Sequence, residues 1–304
     1  MVVEIIMETE ISFAVKIEKK KGEEVRTFLR NNNLIRSDLK LAKYDKYLYI
    51  PIKNNSPLLS NFVKTTVEFK KTEQKISSYQ QLLSLPADVK HFLPSSFDII
   101  GDILLINIPE ELQVYSKEIG DALLTTHSHV ETVASIQPVS GELRTRSVTV
   151  IAGKQKTETI HKEYGLCFEV DVEKTYFSPR LATERKRITK LIKTDSFVVD
   201  MFCGVAPFSI MIARFSAPKN IVAIDKNAFA IELAKHNIVR NSVDKNIFLF
   251  NQDSKNLIDI LRKFESKPDH IIMNLPFSAF DFFPLAINEI AHNGMIHYYD
   301  IISE

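Results

Sequence analysis

The sequence predicts an α/β fold for the C-terminal part of the chain, with a parallel sheet covered by helices on both faces. Continuous apolar segments such as FVVDMF, NIVAID and IFLFNQD alternate there with helical patterns such as AFAIELAKHNIVRNS. Strands that are apolar on both faces belong inside a sheet, and helices of this length fit the crossovers between parallel strands. This domain is expected to span residues 173–304, preceded by two smaller α+β domains at 1–69 and 70–172.

The first zone mixes strand and helix patterns. SFAVKI has the period of a strand, and KKGEEVRTFLRNNNL places Val25, Phe28 and Leu29 on one helical face. KYLYIPI predicts a second strand that ends at Pro51. The polar residues 70–79 are predicted to be a linker.

The second zone contains no nucleotide-binding signature. FDIIGDILLINI predicts two short strands around Gly101, and EELQVYSKEIGDALLTT predicts an amphipathic helix. SVTVIAG, ETIHKEYG and LCFEVDV are predicted to be consecutive strands of a meander.

Composition limits the class of protein. The 304 residues are 45% hydrophobic, which allows packed cores, and the net charge of +1 means that any nucleic-acid binding comes from local patches. Two cysteines without metal-ligand spacing predict a reducing compartment and no metal site. The N-terminus lacks the basic start of a signal peptide, and no apolar run is long enough to span a bilayer. We therefore expect a cytoplasmic protein without membrane contact.

The segment VVDMFCGVAPFSIMIA predicts a cofactor loop. It places Asp200 at the end of a buried strand, Gly204 in the turn that follows, and a helix after the turn. Ligands of doubly wound sheets bind at the carboxyl ends of the strands. A dinucleotide favours G-x-G-x-x-G, whereas this loop offers one glycine and the bulky Phe202, which disfavours a nicotinamide dehydrogenase. An acid at Asp200 suits a cofactor with a cationic amino-acid end.

Two further acids follow the next two strands. Asp225 ends NIVAID, where a carboxylate accepts both hydroxyls of a ribose, and Asp253 lies in NQD, near an expected adenine edge. One acid at a strand end is equally explained by capping of the next helix. Three in succession predict an S-adenosylmethionine site and a class I (Rossmann-like) methyltransferase domain.

The fourth strand ends in MNLPFSAFDF, which predicts a loop for a target base. Asn274, Leu275 and Pro276 resemble the Asn-Pro-Pro-aromatic loop of amino-directed methyltransferases. An Asn amide and a proline-fixed carbonyl at the end of a rigid strand hydrogen-bond the edge of a planar base and aim its nitrogen. The tripeptide alone is better explained by a strand-end turn, but its place at the fourth strand favours base binding.

Basic residues surround one acid, Glu184, in TYFSPRLATERKRITKLIK. Arg180, Arg185 and Lys186 are candidates for RNA phosphates, and part of the basic set is expected to be solvated surface. From its position near a helix N-terminus, Glu184 is most simply a dipole-stabilised, ion-paired carboxylate.

Earlier segments offer further basic candidates. SGELRTRSVTV places Arg144 and Arg146 on one strand face, where they either meet RNA or form an ordinary exposed face. The N-terminal zone is also rich in lysine and arginine, and most of its interleaved aromatic residues are expected to pack in the core.

These segments resemble the archaeal and eukaryotic tRNA (guanine-37-N1)-methyltransferase family. The resemblance rests on GELRTR, IHKEYG, YFSPRLATER, VVDMFCGVAPFSI, AIDKNAFAIELAKHNIVRN, IIMNLP and GMIHYY, and it reaches FLRNNNL, KYLYIPI and FDIIGDILLINI. It implies a small N-terminal domain that touches the outer corner of tRNA. A middle domain and a class I domain then hold the anticodon loop, and we expect a monomer.

The resemblance also implies a reaction, methyl transfer to N1 of guanosine 37, and residues for it. N1 carries a proton, so a carboxylate must remove that proton and a cation near O6 must stabilise the developing charge. The implied residues are the base-facing Arg144, the general base Glu184, the aromatic cofactor-loop residue Tyr176, the ribose acid Asp225, and Asn274 with Pro276 in the target-base loop.

Two departures from the family pattern stand out. Ala206 replaces a second glycine of the cofactor loop, and its methyl limits the approach of the backbone to a cofactor. The family continues past HYY with a helix and final strands, whereas this chain stops at Glu304. Either the chain is truncated or the far edge of the sheet is supplied otherwise, and a missing edge would expose apolar strand surface.

Two other functions stay open from the sequence. One is an enzyme of wybutosine synthesis acting on the same nucleoside, as an aminocarboxypropyl transferase or as a dual methyltransferase on the tricyclic precursor. The other is a non-catalytic RNA-binding protein on the same scaffold. The Asn-Leu-Pro loop favours methyl transfer.

Overall fold

The computed structural model divides the chain into two compact units, residues 1–77 and 78–304. The boundary between them falls inside the segment 70–79, where the sequence predicts a linker. The structure describes residues 9–54, 56–72, 78–137, 141 and 145–301.

The first unit is a four-stranded antiparallel sheet with one helix. Its strands follow the order β2-β3-β1-β4. The helix buries Val25 and Leu29 in the core with Val15 and Ile50, while Phe28 stays partly exposed and packs on Phe62. Its elements are β1 (Thr9–Glu18), α1 (Gly22–Asn31), β2 (Ala42–Tyr44), β3 (Tyr47–Pro51) and β4 (Val63–Lys70).

The second unit begins with a mixed sheet of order β5-β6-β7-β8. The two short strands predicted around Gly101 are confirmed. A Cβ at Gly101 would lie 2.1 Å from Thr159 Oγ1, and its φ is +57°, so only glycine fits this turn. The elements are α2 (Ala87–Lys90), β5 (Asp98–Ile100), β6 (Ile103–Ile106), α3 (Ser116–Thr126), β7 (Thr132–Ile136) and β8 (Val148–Gly153).

The predicted meander is wrong. Strand β8 pairs with β7, whereas β9 (Glu158–Glu163) pairs with β10 (Leu166–Asp171) in a separate hairpin. The chain leaves the sheet at Gly153, whose φ of +83° turns it away. Side chains of β9 then accept hydrogen bonds from the β5–β6 turn: Asp102 N–H donates to Thr159 Oγ1 and Gly101 N–H to His161 Nδ1, each at 3.2 Å.

The rest of the second unit is the predicted parallel sheet, which the structure confirms. Strand pairing is parallel throughout, in the order β13-β12-β11-β14-β15. The order reverses at β11, between β12 and β14, and such a reversal opens a crevice at the carboxyl ends of the strands. The elements are α4 (Ala182–Leu191), β11 (Phe197–Asp200), α5 (Pro207–Ser216), β12 (Asn220–Asp225), α6 (Ala228–Arg240), β13 (Ile247–Asn251), α7 (Leu257–Leu261), β14 (His270–Met273), α8 (Phe283–Glu289) and β15 (Met295–Tyr298).

One hydrophobic core joins the mixed sheet to the parallel sheet. It contains Ile103 of β6, Phe168 of β10 and Ile210 of α5. The predicted domain boundary at 172/173 therefore lies within a compact unit. At the far side, β15 is an edge strand on which Met295 is 47% exposed. Within the described ranges, no helix has the length and apolar character needed to cross a bilayer.

Candidate active site

A cavity of about 540 Å³ lies at the carboxyl ends of four neighbouring strands of the parallel sheet. Its lining includes Gly204 after β11, Asp225 at the end of β12, Asp253 after β13 and Asn274 after β14. This volume lies within the usual range for small-ligand sites, roughly 300–1,000 Å³. Four of the residues predicted after successive strands thus meet at one cavity.

Asp225 and Gly204 are joined across the bottom of the cavity. The Gly204 N–H donates to Asp225 Oδ2 at 2.7 Å, and the Asn227 N–H donates to Oδ1 at 2.9 Å. Burial raises the pKa of Asp225, and the two backbone N–H donors oppose that rise. Each oxygen keeps a further lone pair, so the carboxylate is fixed in place and still able to accept two hydroxyl groups.

Aromatic and acidic side chains form the walls beside this carboxylate. Tyr176 and Phe202 line the cavity, and the Phe202 ring meets Phe282 edge-on at 5.0 Å between centroids. Asp253 also lines it, and its Oδ1 accepts the Lys255 N–H at 2.8 Å. The walls therefore combine flat apolar surface with a carboxylate and exposed loop backbone.

The direct cofactor contact predicted for Asp200 does not fit the structure. Asp200 is 1% exposed and is not among the residues that line the cavity. Its Oδ2 accepts the Ser209 hydroxyl of α5 at 2.8 Å, because the last residue of β11 faces that helix rather than the crevice. Burial raises the pKa of Asp200 to about 7. Asp200 thus stabilises the cofactor loop through its hydrogen bond to α5 and does not face the cavity.

Ala206, which stands in place of a second glycine, adopts the left-handed conformation with φ of +65°. Its methyl group is fully buried in the core with Val205 and Ile210. Left-handed geometry costs a residue with a Cβ about 1–2 kcal/mol. The loop therefore keeps the backbone shape that a glycine would allow, at some cost in strain.

The predicted target-base loop borders the same cavity. Asn274, Pro276 and Phe277 all line it, and within the described part of the chain the Asn274 side chain has no hydrogen-bond partner. Phe277 has a φ of +73° and a ring that is 70% exposed. Its N–H donates to Asp300 Oδ1 at 3.0 Å, which holds this strained turn. An unpaired amide thus faces the cavity beside an exposed aromatic ring.

Glu184 lies on the first turn of α4, beside the cavity but not among the residues that line it. Arg187 donates to both of its oxygens, through Nε at 2.7 Å and Nη2 at 2.8 Å. The Tyr299 hydroxyl also donates to Glu184 Oε1, at 2.7 Å. The hydrogen bonds from Arg187, followed by the one from Tyr299, hold the pKa of Glu184 below its usual value against the opposing effect of burial.

The RNA contact predicted for Arg185 is contradicted by its burial. Arg185 is 1% exposed and forms a two-pronged ion pair with Glu163, including Nε to Oε1 at 2.9 Å. Its Nη2 also donates to the Ser178 carbonyl at 3.2 Å. Arg185 lines one wall of the cavity, and its guanidinium is engaged with Glu163 inside the fold rather than exposed on the surface.

The other basic candidates lie nearer to solvent. Arg180 is paired with Asp98 at 2.6 Å, and Lys186 Nζ sits 3.9 Å from the centroid of the Phe215 ring. Arg146 lies 5.9 Å from the centroid of the Tyr176 ring, which lines the cavity. Arg144 lies outside the described residues, so its predicted role stays a prediction.

Sequence reasoning missed Arg187, Tyr299 and Glu163. Arg187 is one of the basic residues around Glu184, and its i,i+3 spacing from that acid is a signal for an ion pair. Tyr299 and Glu163 lie far from α4 in sequence, so only the fold brings them to it. Both belong to segments of the family resemblance, GMIHYY and IHKEYG, and that was the available signal.

Three family models match the chain in order along its length. They are the tRNA methyltransferase 5 N-terminal domain at residues 14–58, the TYW2 N-terminal domain at 79–157, and the TRM5/TYW2 methyltransferase domain at 159–304. The Trm5b tRNA (guanine(37)-N(1))-methyltransferase of Pyrococcus abyssi is 40% identical over 95% of this chain and 84% of its own length. The chain belongs to the Trm5 family.

Solved Trm5 structures agree with this assignment. A complex of aTrm5 with tRNALeu is 36% identical, covers 95% of this chain and 87% of its own, and superposes with a TM-score of 0.78. Methanocaldococcus jannaschii Trm5 in complex with adenosine is 35% identical over 95% of this chain and 86% of its own, with a TM-score of 0.61. S-adenosylmethionine is thus the cofactor of this methyltransferase.

The cavity fits that cofactor on its own chemistry. Asp225 offers two fixed acceptors for a ribose, and the aromatic walls suit an adenine. Gly204 has a φ of +54°, and an added Cβ would reach within 3.5 Å of the Tyr176 carbonyl, across the cofactor loop. That distance is an ordinary contact, so it is the left-handed φ that favours glycine at this position.

Asp225→Ala is expected to weaken S-adenosylmethionine binding by about 1–3 kcal/mol, because it removes two charged acceptors and leaves the ribose hydroxyls without partners. Calorimetric titration of the cofactor measures this. Asp244→Ala, which removes an exposed acid just before β13, is the control and should bind as the wild type does. Equal affinities for the two variants would remove Asp225 from the ribose site.

Proposed function

We propose that this chain transfers a methyl group from S-adenosylmethionine to N1 of the guanosine at position 37 of tRNA. The observation that supports this most is the meeting of two predicted sites at one cavity. Asp225 and Gly204 lie at its cofactor end, and Asn274 and Pro276 border the same space. A cofactor and a planar base bound there would face each other.

The cofactor would be held by the residues at the strand ends. Asp225 would accept the two ribose hydroxyls, Asp253 and its backbone would meet the adenine edge, and Tyr176 and Phe202 would pack on the flat part of the ligand. When bound, the cofactor supplies an electrophilic methyl group on a sulfonium. Gly204 keeps the loop close without obstructing it.

The guanine would be held and deprotonated by residues on the other side. The Asn274 amide and the carbonyl turned by Pro276 hydrogen-bond the base edge and fix its plane. Glu184 takes the N1 proton as the new N–C bond forms, and Arg144 stabilises the negative charge that develops on O6. Glu184 is held near the cavity by α4, and its neighbours in sequence Leu181 and Arg185 line the cavity.

We infer that tRNA meets both units of the chain. Arg146, Arg180 and Lys186 lie on the unit that carries the cavity and would contact phosphates near the anticodon loop. The basic N-terminal unit would contact the outer corner of tRNA. A monomer in the cytoplasm is the simplest form of such an enzyme, since both units belong to one chain.

Transfer of labelled methyl from the cofactor to two matched tRNA transcripts tests the proposal. The transcripts differ only at position 37, which is guanosine in one and adenosine in the other. Label should enter the guanosine transcript alone. Equal labelling of both would place the target elsewhere.

Deletion of residues 1–77 is expected to raise the KM for full-length tRNA and to reduce its salt dependence, because phosphate contacts are lost while the cavity is unchanged. These residues form their own compact unit, so the cut follows a boundary of the fold. Steady-state kinetics with full tRNA and with a minimal anticodon stem-loop measure the effect. An identical response of the two substrates to the deletion would contradict the outer-corner contact.

One alternative has an observation in its favour. A tRNA(Phe) (4-demethylwyosine(37)-C(7)) aminocarboxypropyltransferase of Pyrococcus horikoshii is 30% identical over 72% of this chain and 76% of its own length. The Trm5b relative is more similar and covers the N-terminal unit as well, which favours methyl transfer.

A further inference from the structure

Three hydrogen bonds fix the carboxylate of Glu184. Its Oε1 accepts the Tyr299 hydroxyl and Arg187 Nη2, and its Oε2 accepts Arg187 Nε. A carboxylate has about four lone-pair sites, two on each oxygen. Oε1 is therefore saturated, and the remaining site lies on Oε2.

Tyr299 is the rigid member of this group. Its N–H donates to the Met273 carbonyl at 3.3 Å, so the residue is tied to the end of β14, next to Asn274. Its ring packs against Phe208 of α5, with centroids 5.9 Å apart, and borders the core that includes Ile188 of α4. Burial, followed by the hydrogen bond to Glu184, raises the pKa of Tyr299, so its hydroxyl remains a donor.

Arg187 is the more exposed partner. Its side chain is 58% exposed, compared with 26% for Glu184, and it lies three residues further along α4. Exposed pairs of this spacing stabilise a protein little. Two parallel N–H donors nevertheless restrict how the carboxylate turns.

We propose that Tyr299 and Arg187 are positioning residues for methyl transfer, which saturate Glu184 Oε1 and leave one lone pair of Oε2 to receive the guanine N1 proton. This inference rests on the proposed function, in which Glu184 is the base. In the step itself, the N1–H bond would break and the proton would go to Oε2, while the N1 electron pair would form the bond to the methyl carbon. The bond from that carbon to the cofactor sulfur would break, and its electron pair would stay on sulfur.

Ionisable groups around Glu184 and Tyr299 lie on α4, on β15 and the residue after it, on β14 and on β11. Arg187 belongs to α4, Tyr299 follows β15, and His297 lies on β15 and stacks on His270 of β14. Burial lowers the pKa of His297 to about 4, so it is neutral near neutral pH and begins to gain a proton only at the acid end of the range. Asp200 at the end of β11, whose pKa burial raises to about 7, favours the protonated form of Tyr299 when it is ionised.

The two donors also set how strong a base Glu184 is. Both stabilise the carboxylate, so loss of either raises the pKa of Glu184. A higher pKa leaves less of the base ionised in acid solution, while at neutral pH the base stays ionised and accepts the proton at least as well. The effect of losing a donor must therefore depend on pH.

Tyr299→Phe tests this directly, because it removes the hydroxyl and keeps the ring that packs on Phe208. Single-turnover methylation with saturating tRNA is measured from neutral pH down to about pH 4.5. The ratio of variant to wild type removes the titration of His297, which both proteins share. The rate of the variant relative to wild type should fall progressively as the pH is lowered. A constant ratio at every pH, as expected from a purely structural loss, would overturn the proposal.

Arg187→Gln is the second variant. Its methylation rate should begin to fall at a higher pH than that of Tyr299→Phe, because Arg187 makes the larger contribution to the lowered pKa of Glu184. Its control is Arg262→Gln, which breaks the exposed ion pair between Arg262 and Asp259. That pair has the same i,i+3 spacing and the same distance of 2.7 Å, but it lies away from α4. The control should keep the wild-type profile. An Arg187→Gln profile that matches the control would also overturn the proposal.

Glu184→Gln separates this inference from the proposed function beneath it. If Glu184→Gln methylates at the wild-type rate, Glu184 is not the base and both ideas fail. If Glu184→Gln is slow while Tyr299→Phe and Arg187→Gln keep the wild-type pH profile, the base stands and only the positioning role is lost.

Discussion

Glu184→Gln is expected to slow the methylation step by roughly 10²–10⁴-fold, the usual effect of losing a general base. The amide keeps the shape of the side chain and still accepts from Tyr299, but it takes no proton at neutral pH. Cofactor and tRNA affinities should stay close to wild type, because the loss is confined to the transition state. Single-turnover rates with saturating tRNA measure this step.

Asp259→Asn is the matched control for that experiment. Asp259, like Glu184, is paired with an arginine three residues later at 2.7 Å, but its side chain is 71% exposed. The Asp259→Asn substitution should leave the single-turnover methylation rate unchanged. If Glu184 serves only as a surface ion pair, the free energy of unfolding of both variants should fall by well under about 1 kcal/mol. Both should then methylate tRNA at the wild-type rate. A Glu184→Gln rate equal to that of the control would establish this reading.

A double variant that combines Glu184→Gln with Arg144→Ala tests whether the two residues act on the same step. Arg144→Ala alone should also slow the chemical step, since it removes charge stabilisation at O6. If both residues act on the same proton transfer, the double variant should be less impaired than the two separate effects would predict.

Glu163→Ala is expected to lower the free energy of unfolding by about 3–5 kcal/mol, because it leaves the buried guanidinium of Arg185 without its counter-charge. Arg185 is 1% exposed and Glu163 6%, so water does not replace the lost partner. Denaturant unfolding followed by circular dichroism measures the change. The cavity should also loosen, since Arg185 ties α4 to the Ser178 carbonyl in its wall.

Glu169→Ala on the neighbouring strand of the same hairpin provides the control. Glu169 pairs with Arg240 at 3.5 Å, and both side chains are part-exposed. Its loss should cost less than about 1 kcal/mol. A second variant, Arg185→Met with Glu163→Leu, removes both buried charges and should recover most of the stability. Equal destabilisation by Glu163→Ala and Glu169→Ala would contradict the account of the buried pair.

The sequence predicted the parallel sheet well because its strands are continuous apolar segments and its helices have a regular period. Asp225 and Asp253 were placed correctly at the cavity because strand ends in such a sheet converge. Position along a strand did not say which way a side chain points. Asp200 also ends its strand, yet it faces α5 and Ser209.

Contacts between distant segments were beyond the sequence. Arg185 looks like its basic neighbours in ERKR, and only the approach of Glu163 from β9 makes it a buried residue. The meander failed for a similar reason, since Gly153 redirects the chain and β9 finds its partners in the β5–β6 turn. Local sequence patterns predict secondary-structure elements, whereas side-chain burial and strand pairing depend on contacts between segments that are distant in sequence.

Nucleoside mass spectrometry of tRNA incubated with the protein tests the central claim most directly. Two parallel reactions carry the cofactor label on its methyl group or on its aminocarboxypropyl group. The account predicts that methyl label alone is incorporated, that it appears in 1-methylguanosine, and that this nucleoside maps to position 37. Incorporation of the aminocarboxypropyl label, methyl label in a different nucleoside, or no incorporation despite cofactor binding would contradict it.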